Sequence, residues 1–302
     1  VVSIDAETKK CLAVGQDAKD MLGRTPGRVT AIRPLKDGVI ADFEVTEMML
    51  QYFVRKLNLK GIFSRPTILI CCPSNITSVE RKAISDAAYR AGAKRVYIEE
   101  EPKVAAIGAN LDIAKPTGSM VLDIGGGTTD VAILSLGEIV TSTSLKIAGD
   151  TLDQDVIKYV KDEYKLLIGD RTAEEIKKHI GTAWVKDIET LEQRSIAVSG
   201  RDLVTGLPNT ITLKAEETAA AMEESLQEIV RACRTVLEQT PPELSADIVT
   251  RGIVLTGGGA LLHGLDQLIS HELSIPVYVA ENALTCVAEG TGIMLENLDL
   301  VE

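Results

Sequence analysis

An α/β fold built on a partly parallel sheet is the fold class this sequence predicts, and three observations carry it. Strand-like and helix-like patterns alternate along the 302 residues, the order that builds parallel sheets. The run "TILICCP" (67–73) is continuously apolar, as suits a strand covered on both faces. Two glycine triplets, 125–127 and 257–259, each follow an apolar strand-like run. They suggest two similar halves facing a cleft.

The elements follow in order. After the strand at 67–73, "TSVERKAISDAAYRAG" opens at Thr77/Ser78, carries apolar residues at helical spacing and stops at Gly92, a C-capping position. "RVYIEEEP" reads as the next strand, and Pro102 suits the first turn of the helix "PKVAAIGANL". "VLDIGGGTTDVAILSL" (121–136) places the first triplet between two apolar runs, with Asp123 and Asp130 flanking it. "GDTLDQDVIKYVKDEY" sets Leu152, Val156 and Tyr159 on one helix face. Thr172 and Glu175 have the spacing of a capping box. Residues 194–213 read as a hairpin turning at Gly-Leu-Pro-Asn, and a long helix spans about 216–238, ended by "TPPELS". "GIVLTGGGALLHGLDQLIS" is strand, glycine turn, helix.

Composition narrows the function. Lys and Arg total 32 against 44 Asp and Glu, a formal net charge of −12. No dense basic run supplies the footprint of a nucleic-acid binder, so nucleic acid is not expected as a partner. Five scattered cysteines include no C-x-x-C, and three histidines share no ligand spacing. Buried reduced thiols and surface-helix histidines (His263, His271) are expected, not a metal site built from them. No stretch reaches the roughly 18 apolar residues of a spanning helix, and no signal peptide is read. Val1 reads as mid-strand, so the chain is expected to lack an upstream segment.

Read from its residues alone, each glycine triplet is open to two meanings: a plain hairpin turn, or a turn whose backbone N–H groups approach a phosphate closely. Neither is a P-loop, and Leu262 stands where a dinucleotide fingerprint needs its third glycine. The flanks favour the second meaning. Asp123 ends the incoming strand and suits Mg²⁺-bound water, Thr128 and Thr129 add hydroxyls, and the second triplet precedes a helix whose N-terminus favours anions. Similarly, Glu99–Glu101 reads either as a solvated acidic run or as a carboxylate aimed at phosphates. Glu174 and Lys177 share a helix face, either as an exposed ion pair or as ligand contacts. Ile62 and Phe63, in "LKGIFSRP", either tuck into the core or face a membrane.

"LDIGGGTTDVAILSL" and "VLTGGGALLHGL" resemble the second phosphate motif and the adenosine motif of the actin, Hsp70 and sugar-kinase ATPase superfamily. "MLGRTPGRVTAIRPLKDGVIADFEVTEMML", "IEEEPKVAAIGANL", "GDTLDQDVI", "RTAEEIKKHIGTAW", "GRDLVTGLPNTITL" and "ALTCVAEGTG" narrow the resemblance, over essentially the whole chain, to the MreB-type bacterial actins (MreB, Mbl and MreBH). Lys103-Val104 departs from the usual motif and leans toward a paralogue. The family's first phosphate loop, Asp-x-Gly-Thr, is not in the sequence.

The resemblance implies an actin-like two-lobed fold with a ribonuclease H-like core in each lobe and small inserted subdomains. The first lobe would be 1–140 plus 286–302, with an insertion at about 12–37. The second would be 141–285, with an insertion at about 185–245. It implies ATP/ADP and Mg²⁺ as cofactors. Gly125, Gly126, Gly127 and Thr128 would meet the phosphates, Asp123 would hold Mg²⁺ through water, and Glu101 with Thr128 would place the attacking water. Glu174, Glu175 and Lys177 would hold the nucleoside, with Gly257, Gly258, Gly259 and Ala260 along the adenosine. Hydrolysis would be slow and coupled to polymerisation. The implied function is an ATP-dependent, membrane-associated filament that directs cell-wall synthesis and rod shape. Its partners would be further copies in paired protofilaments, inner-membrane lipid through Ile62 and Phe63, a RodZ-type membrane adaptor and cell-wall synthesis proteins, at the cytoplasmic face of the membrane. The alternative is a sugar- or acetate-kinase-type phosphotransferase of the same superfamily.

Overall fold

A computed structural model describes residues 1–57, 65–186 and 194–297. Ile62 and Phe63 lie outside the described residues. The chain falls into two compact units, Val1–Glu100 with Thr291–Glu302, and Glu101–Gly290.

In the first unit, β1 (Val2–Asp5), β2 (Cys11–Val14) and β3 (Val29–Ile32) form an antiparallel sheet in the order β2-β1-β3, with the short helix α1 (Gln16–Lys19) after β2. The strands β4 (Leu35–Lys36) and β5 (Val39–Ile40) pair with each other and lead into α2 (Phe43–Lys56). Val2, Ile4 and Val14 are buried with Val45 of α2. The Asp42 carboxylate caps α2 by accepting from Val45 N–H. Next come β6 (Thr67–Cys72), α3 (Ser78–Arg90) and β7 (Arg95–Glu100), a parallel β-α-β unit. Thr77 and Glu80 close the capping box of α3. The expectation of a doubly covered strand at 67–73 is corrected: only Leu69 and Cys72 of β6 are buried. Among the described residues β7 is the sole ladder partner of β6, so most of its apolar side chains are half-buried.

The second unit is built on a five-stranded sheet in the order β10-β9-β8-β14-β15. Its strands are β8 (Ser119–Ile124), β9 (Thr129–Ser135), β10 (Glu138–Leu145), β14 (Ile253–Thr256) and β15 (Val277–Val279). β9 pairs antiparallel with both β8 and β10, while β14 pairs parallel with both β8 and β15. Every residue of β8 and β9 is buried, in keeping with the apolar stretches Met120–Leu122 and Val131–Leu134 at their centres. Strand alternation then sorts the faces. Met120, Leu122 and Ile124 point into the large core shared with α5 (Gly149–Tyr164), α6 (Asp170–Ile180) and α7 (Ala215–Glu238). Val121, Ala132 and Leu134 point the other way, against Ala105 and Ala106 of α4 (Glu101–Gly108).

Between α5 and α7 lie β11 (Leu166–Leu167), β12 (Ser195–Asp202) and β13 (Pro208–Lys214), paired antiparallel. α8 (Pro242–Arg251) precedes β14, α9 (Leu265–Leu273) precedes β15, and α10 (Cys286–Glu296) follows. Three local expectations shift. The β12–β13 turn uses residues 203–207 rather than Gly-Leu-Pro-Asn, because the Asp202 carboxylate accepts from Val204 and Thr205 N–H. Pro208 becomes the first strand residue, a place where its missing N–H is tolerated. α6 begins at Asp170, ahead of the Thr172 cap that the spacing suggested, and an acidic residue in the first turn suits the helix dipole. His263 lies before α9, with its ring Nδ1 2.9 Å from Thr182 Oγ1, not within a helix.

Candidate functional site

The first glycine triplet is a β-hairpin turn. β8 and β9 pair up to Ile124↔Thr129, and Gly125 N–H closes the loop on Thr128 O at 2.9 Å. Both meanings of the triplet therefore meet in one object: the hairpin is the means by which three glycines are held beside other elements. The next helix packs directly onto it. Gly149 N–H donates to Gly125 O at 3.1 Å and Asp150 N–H to Gly126 O at 2.7 Å. The start of α5 is thereby tied to the turn.

The second triplet is brought beside the first by strand pairing. β14 lies parallel to β8 with Thr256 opposite Asp123. Thr256 leads into Gly257, whose φ of 81° and ψ of 168° belong to a region that only glycine enters readily. A Cβ on Gly257 would stand 2.3 Å from Ile124 O, and one on Gly259 would stand 2.3 Å from Ile124 Cγ2. These two glycines exist because the second turn rides on the end of the first hairpin. Residues 257–260 and 125–128 thus form one surface, although some 130 positions separate them along the sequence.

The acidic groups converge by strand parity. Asp123 shares its face with Val121, and Asp130, its direct cross-strand partner, shares its face with Ala132 and Leu134. That is the face covered by α4, whose first residue is Glu101. α4 is fixed close to α10: a Cβ on Gly108 would meet Cys286 O, and one on Gly290 would meet Val104 O. Three carboxylates are therefore held under the turn. Like charges directly opposite in a sheet repel, and burial adds to this. Burial pushes Glu101 up to about 8, with Asp130 and then Asp123 adding to the rise. Burial also pushes Asp123 up to about 6. The Thr256 hydroxyl, which donates to Asp123 Oδ1 at 2.8 Å, opposes that rise, and Asp130 adds to it. A cluster that resists being fully charged is a place where a cation is welcome.

Lys177 reaches the same neighbourhood from α6. Its ammonium donates to Gly149 O at 2.6 Å and pairs with Asp153 Oδ1 at 2.8 Å. For Asp153, burial raises the pKa and outweighs the pull of Lys177. Of the other two α6 residues, Glu174 pairs with Lys178 at 2.6 Å and its charge also raises the pKa of Asp153, while the exposed Glu175 pairs with Arg171 at 3.1 Å. The structure thus gathers Glu101, Asp123, 125–128, Lys177 and 257–260 in one unit, with Glu174 near the Lys177–Asp153 pair and Glu175 exposed. Sequence reading assigned no role to Asp130, Thr256 or Asp153. For Asp130 a signal was present: Asp123 and Asp130 stand symmetrically about the turn, so a hairpin must set them face to face.

The fit of a nucleotide with Mg²⁺ is testable on this geometry. A close backbone surface of small residues, an acidic cluster of oxygen donors and a half-buried lysine beside the turn are the groups that phosphates and a hard cation take. Among the described residues no three His, Cys, Asp or Glu side chains are set to hold a metal directly.

The MreB/Mbl protein family model matches residues 1–302. The chain is 60% identical over 299 residues to the cell shape-determining protein Mbl of Bacillus subtilis, a match spanning 99% of this chain and 89% of the relative. It is 53% identical over 294 residues to the cell shape-determining protein MreB of Escherichia coli, covering 97% and 83%. Among solved structures, MreB5 of Spiroplasma citri bound to ADP matches with a TM-score of 0.92 at 39% identity, covering 98% of this chain and 88% of that one. The chain belongs to the MreB/Mbl family, with its mixed α/β actin-like fold, and is a bacterial actin-like cytoskeletal protein.

Proposed function

We propose that this protein binds ATP and ADP with Mg²⁺ at the paired glycine turns and assembles into filaments, with slow hydrolysis timed to assembly. The observation that carries the reading is the interlock of the two turns over Ile124, with Glu101, Asp123 and Asp130 beneath. The related MreB5 of Spiroplasma citri has been crystallised with ADP and with AMPPNP, which supports a nucleotide here.

The chain's own residues divide the work. Backbone N–H groups of 126–128 bind the phosphates. Asp123, steadied by Thr256, holds the water shell of the cation, whose charge also relieves the acidic cluster. Glu101 and Thr128 position the hydrolytic water; Glu101, raised to about 8 without a cation, would be drawn by the charge of a bound cation toward the range in which it accepts a proton near neutral pH. Gly257, Gly258, Gly259 and Ala260 let the adenosine lie close to the backbone. Because the Lys177 ammonium is committed to Asp153 and Gly149, its aliphatic stem is what remains to flank the base, with Glu174 and Glu175 beside the ribose.

Membrane association through Ile62 and Phe63, a RodZ-type adaptor, cell-wall synthesis proteins and the two-lobe division at about 140 and 286 complete the proposal. Among the described residues no helix is long and apolar enough to cross a membrane. The sugar- or acetate-kinase alternative gains no support from the family match. Titration with a fluorescent ATP analogue, with and without Mg²⁺, tests the reading. Saturable binding that Gly257→Ala abolishes supports it, and equal binding by that variant refutes the site.

A further inference from the structure

The β12–β13 hairpin ends in an apolar tip. Val204 is 82% exposed, Leu207 65% and Leu203 43%. The tip is built rigidly rather than left slack. Asp202 Oδ1 accepts from Val204 and Thr205 N–H at 2.8 Å each. Asp202 N–H donates to Leu207 O at 2.9 Å, and Gly206 takes the left-handed φ of 75° that closes the turn. A preordered turn that holds three branched apolar side chains in water is a contact element. Beside it, at the end of β12, stands the exposed Arg201.

The same unit carries a complementary hollow. A cavity of about 540 Å³ opens between α7, α9 and residues 183–186. Ala219, Ala220, Leu226 and Leu268 give it an apolar floor, and Glu216, Glu223 and Glu272 line it as well. One wall is the Trp184–His271 ring pair, 5.2 Å between centroids. Lys186 is held there, 4.8 Å over the Trp184 ring and 3.0 Å from His271 Nε2. Beyond that wall lies a second hollow of about 370 Å³ with Asp266 at its edge. Carboxylates outnumber the cations around the groove.

We propose that the hairpin tip of one copy seats in the α7–α9 groove of the next, and that repetition of this contact builds a protofilament. The inference rests on the filament reading above. Knob and hollow sit on one chain and are different surfaces, so the contact is head-to-tail and leaves a free tip and a free groove at the ends, which is how an open filament grows. The apolar tip matches the apolar floor, and Arg201 matches the acidic lining. In a chain of net charge −12, a local basic group beside an apolar knob is a means of bringing two copies together against their general repulsion.

The test is sedimentation with ATP and Mg²⁺ over a concentration series, alongside fluorescent-nucleotide binding. Val204→Asp with Leu207→Asp is expected to raise the pelleting threshold at least tenfold with nucleotide affinity unchanged, and Ala220→Glu in the groove is expected to do the same. Mixing Val204→Cys protein with Ala220→Cys protein under mild oxidation is expected to give an ATP-dependent cross-linked dimer that neither protein gives alone. Normal pelleting of the tip variant overturns the proposal while leaving the nucleotide reading intact. A pelleting defect in the tip variant alone, with no mixed cross-link, overturns the groove as its seat and leaves another partner for the tip. Wild-type protein that binds nucleotide but never pellets overturns the filament reading and this contact together.

Discussion

Glu101→Gln is the perturbation that most sharply separates a functional acidic cluster from a structural one. In the folded protein Glu101 titrates at about 8 instead of its ordinary 4.5, because it is buried near Asp130 and Asp123. Between those two values the folded state holds a proton that the unfolded state has released. Stability therefore falls as pH rises across that window. At about 1.36 kcal/mol per pKa unit, the full shift corresponds to about 5 kcal/mol above pH 8. Water entering the half-buried site reduces this to about 2–3 kcal/mol. Glutamine resembles the protonated acid and does not titrate. The variant is expected to exceed the wild type by only about 0.5 kcal/mol at pH 5 and by about 2–3 kcal/mol at pH 8.5. In a unit of this size that is a Tm gain of roughly 5–10 °C. Thermal unfolding of nucleotide-free, Mg²⁺-free protein from pH 5 to 8.5 measures it. Mg²⁺ with nucleotide is expected to narrow the gap by neutralising the cluster in the wild type. A gap that stays constant with pH would refute the electrostatic reasoning, and a variant that retains full ATPase turnover would refute the role of Glu101.

Three further outcomes follow from the same geometry. Gly257→Ala places a Cβ 2.3 Å from Ile124 O at a φ of +81° and is expected to cost at least about 3 kcal/mol, read by chemical denaturation together with loss of nucleotide binding. Thr256→Val removes the hydroxyl that holds Asp123. It is expected to cost about 1–2 kcal/mol at pH 7.5 and to weaken Mg²⁺-dependent more than Mg²⁺-independent nucleotide binding, as titration calorimetry would show. Lys177→Met leaves Asp153 buried without its cation and is expected to destabilise by about 3 kcal/mol. Lys177→Met with Asp153→Leu recovers most of that stability if the pair is structural, and urea unfolding of the two variants decides.

The strands and helices of this protein were legible where periodicity and capping agree. The Thr77 cap, the apolar face of α5 and both strand–glycine–turn units follow from residues a few positions apart. The candidate site was legible in its parts, because glycine triplets flanked by Asp123 and Thr128 are odd as turns alone. Its assembly was not. That Gly257 must be glycine because Ile124 O lies where its Cβ would be depends on the β8–β14 pairing, a contact between distant stretches that local pattern does not encode. Asp130 was half legible, since hairpin symmetry sets it opposite Asp123, but only the packing of α4 shows that Glu101 joins them. β6 failed for the converse reason: its sequence is that of a covered strand, and its burial depends on how many neighbours the sheet provides.

The central claim is that the two glycine turns form one nucleotide surface. The most direct test is a crystal structure of the protein with AMPPNP and Mg²⁺. The expected result places the γ-phosphate within hydrogen-bond distance of the backbone N–H groups of 126–128, the ion reached by Asp123 through water, and the adenosine against 257–260. A nucleotide bound elsewhere, with both glycine turns facing empty solvent, would contradict it.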